Sequence, residues 1–170
     1  MSRPASTIEL GAGVPAVALR AVIGLTSAGI VVVLASSGIG APALVVLGLA
    51  ALMSVGVPAS PAPTLVVLLV AVSVVAIGGN PLAPHVLALV PLVHLLHVSC
   101  AIAGLVPPRA RLRPSALRAP AIRFVAIQAG VFALAGVIAI APTGRVPAVL
   151  EMVAIGGIAA IAIILWRLVR

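Results

Sequence analysis

From Ala21 to Pro108 the chain carries no Asp, Glu, Lys or Arg. A soluble fold of that length needs charge on its solvent faces, since about a quarter of the residues in soluble domains are ionic. A hydrocarbon surrounding removes that need but also removes water as a hydrogen-bond partner. Helices, which close their backbone bonds within one segment, are then the expected element. Over the full 170 residues, 64% are hydrophobic and 7% charged, and the mean hydropathy is +1.42. The expected class is all-α: a polytopic transmembrane helical bundle in a single membrane domain.

Turn-forming clusters divide the apolar run. SSGIGAP, PASPAP and Gly78-Gly79-Asn80-Pro81 each interrupt it, because Gly and Pro punctuate helices through their backbone conformations. About six spans result: Ala21–Ser36 (with a start as early as Pro15), Ala41–Val57, Pro63–Ile77, His85–Val106, Phe124–Ala141 and Pro147–Trp166. The second and third are short for a hydrocarbon core of about 30 Å, which takes about 20 helical residues. The alternative is therefore four full spans plus a re-entrant hairpin. Pro91, inside the fourth span, cannot donate to the carbonyl four residues before it and is expected to kink the helix.

The largest break is Pro107–Arg123, reading PPRARLRPSALRAPAIR. It holds Arg109, Arg111, Arg113, Arg118 and Arg123, half of the ten arginines of a chain that has no Lys. Its four prolines predict an extended or broken loop with no helix running through it intact. The layout is then a 1–20 arm, four spans over 21–106, a basic loop over 107–123, two spans over 124–166 and a basic tail over 167–170. In the arm, Ser6 and Glu9 suit either a capping box for a short surface helix or a frayed tail, and Glu9 and Arg20 argue against a cleaved signal. Trp166 with Arg167 and Arg170 reads as an interface anchor.

Six crossings put the arm, the basic loop and the tail on one side, where they hold nine of the ten arginines, with Arg145 opposite. Short Arg-rich loops stay inside, so a plasma-membrane protein with both termini cytoplasmic is expected. The net charge of +8 then points to anionic lipid head groups or an acidic partner surface at the five loop arginines, not to nucleic acid. Cys100 is the only cysteine, so no intrachain disulfide forms.

Inside the membrane the most polar feature is His94-x-x-His97-x-x-Cys100, with His85 at the outer end of the same helix. Steps of three advance about 300° around a helix, so the three form a drifting stripe. Two roles compete for them. One is chemical: a metal site on His94, His97 and Cys100, or a proton relay. The other is hydrogen bonding to neighbouring helices or to the carbonyl that Pro91 frees. Glu151, in the sixth span, suits a helix-dipole partner for its own N-terminus and for Arg145, or a proton or cation site. Gln128 reads as an interhelical hydrogen-bonding group. The chain has no paired carboxylates, CxxC, phosphate-binding glycine loop or nucleophile elbow. No enzyme, catalytic residue or cofactor is expected beyond the metal candidate at His94 and His97.

The run PLVHLLHVSCAIAGLVPPRARLRP, followed by APAIRFVAIQAG, resembles the functionally uncharacterised small multi-pass membrane proteins of actinobacteria. That resemblance covers roughly the second half of the chain and implies an actinobacterial plasma-membrane protein, but no activity. The function expected is a non-catalytic integral membrane subunit or accessory protein that packs against other membrane subunits. The alternative is a small transporter or channel for a metal ion or proton using the intramembrane histidines.

Overall fold

The computed structural model describes residues 13–108, 110–140 and 156. It is all-helical apart from one pair of two-residue strands. The helices are α1 (Ala16–Ser36), α2 (Ala41–Gly56), α3 (Ala62–Ile77), α4 (Pro84–Leu105) and α5 (Pro114–Ile140), with β1 (Val14–Pro15) and β2 (Arg111–Leu112). Residues through Gly136 form one compact unit, and Val137–Arg170 form a second, of which the last turn of α5 is described. The sixth expected span, Pro147–Trp166, lies outside the described residues, as does the Ser6–Glu9 capping box.

Local chemistry sets the helix boundaries. A proline in the first turn opens α2, α3 and α4, where its missing amide would have had no helical partner. At the end of α1 the amide of Gly38 bonds the Ala35 carbonyl and that of Ile39 bonds the Leu34 carbonyl, both at 3.3 Å. That pattern is a Schellman cap, and it requires the left-handed conformation Gly38 adopts, with φ of +86°. The Ser36 and Ser37 hydroxyls add bonds of 2.8 and 2.7 Å to the Val33 carbonyl. The sequence SSGIG is thus a compact helix stop.

Helices α1 to α4 form an antiparallel up-down bundle in which α1 packs against α2 and α4, and α3 closes the ring between them. Its core is a column of side chains spaced three, four or seven apart on each helix. Ile23, Ile30 and Leu34 come from α1, Leu47 and Ala50 from α2, Val66 and Val70 from α3, and Leu89, Leu96, Cys100 and Ala103 from α4. That spacing keeps one stripe of each helix turned inward. The opposite faces expose Leu25, Val32, Leu52, Leu68 and Val75, an outward apolar surface suited to lipid rather than water.

Three contacts bring the connections at one end of the bundle together. The Ala16 amide donates to the Ala110 carbonyl at 3.0 Å, beside the antiparallel pairing of Val14 with Leu112 and Pro15 with Arg111. Arg20 donates from Nη1 to the Gly56 carbonyl at 3.2 Å, covering the carbonyl-rich end of α2 with a cation. Gly104 of α4 lies against Ala59 of the α2–α3 turn. The start of α1, the α2–α3 turn and the α4–α5 connection therefore share this end.

Several expectations are corrected here. Among the described residues three helices, α1, α4 and α5, are long and apolar enough to cross a membrane, and the expected six spans are not supported. Helices α2 and α3 have 16 residues each, ~24 Å at the helical rise. Helix α2 runs from the α1 turn to the level of Arg20, most of the length of α1. The first helix starts at Ala16, at the early end of the expected range, and Val14–Pro15 before it pair as a strand instead of continuing loose. The basic loop is shorter than its prolines suggested, because α5 begins at Pro114 and runs through Pro120. Pro114 opens that helix, where proline is tolerated, and Pro120 sits close enough to the start to interrupt only one bond of the second turn.

Candidate functional site: an imidazole–amide pair at mid-span

His94 lies ten residues into α4, ~15 Å from its first residue and ~17 Å from its last. Its Nδ1 is 2.9 Å from Nε2 of Gln128 on α5. An amide nitrogen only donates, so Nδ1 accepts and the neutral ring carries its proton on Nε2. Phe124, one turn before Gln128 on the same face of α5, stacks its ring at 37° on the imidazole, with centroids 4.9 Å apart. Gln128 is 7% exposed and is the one residue of α5 described as buried. The pair is therefore the polar attachment of α5 to α4. The amide oxygen of Gln128 has no hydrogen-bond partner among the described residues.

The other expected ligands do not gather around His94. Along the stripe, His94 is half-buried, His97 is exposed and Cys100 is in the core at 3% exposure. Among the described residues no three His, Cys, Asp or Glu side chains come together as a metal-binding group. The ~100° advance per residue separates the three in direction, and their rise of ~9 Å separates them in height. His85, at the other end of α4, is half-buried, and its Nε2 has no partner among the described residues. Glu151, Arg145 and Arg109 lie outside the described residues.

Of the loop arginines, Arg111 stands in β2, Arg113 immediately before α5, and Arg118 and Arg123 within α5. All four are exposed. Three of them thus flank the positive end of a helix dipole, whose first turn holds no acidic residue to balance it. Anions in the surroundings would relieve that repulsion.

The amino-acid pattern singled out Gln128 but not its partner, because helical periodicity places a residue on a face without saying which helix that face meets. The i, i+4 relation of Phe124 and Gln128 was the available signal for a shared contact. A second feature was not foreseen. Val67, Ala71 and Val74 of α3 face Val86, Val90 and Val93 of α4 across an open groove of about 720 Å³, which His94 and His97 also line.

Over the described residues these observations define an all-helical fold with three helices long and apolar enough to cross a membrane and a polar pair between two of them. Comparison with family models, curated proteins and solved structures returned no match.

Proposed function

We propose that the chain is a non-catalytic integral membrane subunit or accessory protein of the plasma membrane, with the basic end of the bundle cytoplasmic. The observation that carries this reading is the sparse packing of α5 among the described residues. Its 27 residues are mostly apolar and exposed, and the contact with His94 holds its single buried residue. A helix that the described residues hold at one polar point offers apolar faces to other membrane helices, whose association depends on packing and on such hydrogen bonds. The clustering of Arg20, Arg111, Arg113 and Arg118 near the end where α1 and α5 begin supports the inside orientation. In this reading α2 and α3 also cross, through a locally thinned bilayer.

The test is site-specific photocrosslinking in the native host from Val125 on α5, with Leu49 on α2 as the reference position. One stoichiometric protein adduct from Val125 and lipid adducts from Leu49 are expected. Lipid adducts alone from both positions would sink the accessory-subunit reading.

Transport of a metal ion or proton is the second reading, favoured by the sharing of one groove by His94 and His97. It requires flux in proteoliposomes that disappears in both His94→Ala and His97→Ala. Flux that persists in either variant, or is absent from the native chain, removes it.

A further inference from the structure

We infer that the groove between α3 and α4 is a binding site for an uncharged, hydrocarbon-soluble molecule bearing a carbonyl oxygen, the chemistry of a lipophilic quinone. Binding is a property of the isolated chain, so the inference stands apart from the accessory-subunit reading.

The walls come from one stripe of each helix. Val67, Ala71 and Val74 are spaced four and three apart on α3, and Val86, Val90 and Val93 repeat that spacing on α4. Helical periodicity therefore makes the groove continuous and apolar along both sides. At about 720 Å³ it falls within the range of small-molecule sites, which are mostly apolar with a few placed polar groups. Here those groups are two imidazoles at one end, His94 and His97.

The imidazoles define the chemistry of the occupant. His97 is exposed ~20 Å from the start of α4 and ~12 Å from its end. Among the described residues the His97 side chain makes no hydrogen bond, and hydrocarbon offers none, so an occupant of the groove is the available source of a polar partner. His94 binds Gln128 through Nδ1, which leaves Nε2–H, on the opposite side of the ring, as a donor. A carbonyl oxygen accepts from such a donor without bringing charge into the bilayer.

Depth excludes one other occupant. A phospholipid head group would have to sink ~12 Å or more below the interface to reach His97, at the cost of burying its charge. From Val86 to His97 the groove is ~16 Å long at the helical rise. A substituted ring on a hydrocarbon tail suits that length and the apolar lining.

The test uses the full chain in phosphatidylcholine nanodiscs with a photoactivatable azido derivative of decylubiquinone, the adducts being mapped by peptide mass spectrometry. Labelling should concentrate on 67–74 and 86–97 and be competed by unmodified decylubiquinone but not by decane. His97→Leu should reduce it at least five-fold, Ala71→Phe should block it by filling the groove, and His97→Gln should restore at least half. Elution volume and helical circular dichroism check folding, and His97→Leu alters an exposed position, so it reports even if Ala71→Phe does not fold. Labelling spread over all lipid-facing helices, or unchanged by His97→Leu, overturns the inference. So does a His97→Cys chain, in a Cys100→Ser background, that forms disulfide dimers in full yield and excludes the probe, since a second copy would then occupy the groove.

Discussion

Gln128 shows how one side chain can organise a membrane helix. In water an amide–imidazole bond exchanges with solvent for little net gain, but between helices in lipid the alternative is an unpaired amide. Interhelical bonds of this kind contribute on average about 0.6 kcal/mol and at most about 1.7 kcal/mol in measured membrane cycles. A double-mutant cycle on His94→Phe and Gln128→Leu, followed by denaturation in mixed micelles, should give a coupling energy of about 0.5–1.5 kcal/mol. A coupling near zero would mean that the two side chains do not meet. Arg20 invites a smaller expectation. Its bond to Gly56 is exposed at the helix end, so Arg20→Met should cost only about 0.5–1 kcal/mol, less at high salt. At this scale the histidine stripe was legible in the sequence and its use was not. Spacing gave a drift around α4, whereas the partner of each ring depended on which helix lay opposite.

Elements in this chain begin and end where glycine and proline dictate, and most boundaries were legible to within a residue for that reason. Ala41–Gly56, Ala62–Ile77 and Pro84–Leu105 all follow a Pro-bearing start. The Gly38 cap makes the dependence measurable. Gly38→Ala places a Cβ in a left-handed conformation and should destabilise the α1–α2 turn by about 1 kcal/mol, seen as faster hydrogen exchange at Ile39. The exception is Pro120, which favours a loop by its chemistry but lies inside α5. Restoring the missing amide in Pro120→Ala should increase exchange protection over the first turns of α5. Unchanged protection would mean that this end of α5 frays regardless of proline. The strand pair has an equally local cause. At Gly13 a Cβ would stand 2.7 Å from the Leu112 carbonyl oxygen, so Gly13→Ala should break the pairing and expose the Ala16 amide to rapid exchange.

For the whole molecule, the gathering of the α1 start, the α2–α3 turn and the α4–α5 connection at one end makes the arginine distribution a single electrostatic feature. Near an anionic leaflet each basic residue contributes about 1 kcal/mol. Replacing Arg111, Arg113, Arg118 and Arg123 by Gln should therefore produce a mixed orientation, read by impermeant thiol labelling of Ser115→Cys in a Cys100→Ser background. Uniform inside orientation would show that the remaining charges suffice. The sequence alone determined the all-helical class, most of the helix boundaries and the grouping of charge. Those depend on local backbone preference and on the absence of ionic residues over a long run, and both act on neighbours in the chain. Only the tertiary structure decided that β1 ties the start of α1 to the basic connection, that Gln128 meets His94, that Cys100 turns into the core while His97 does not, and that α3 and α4 leave a groove between them. Each is a contact between residues far apart in sequence. Periodicity assigns a face to each helix, but what that face touches follows from how the helices pack.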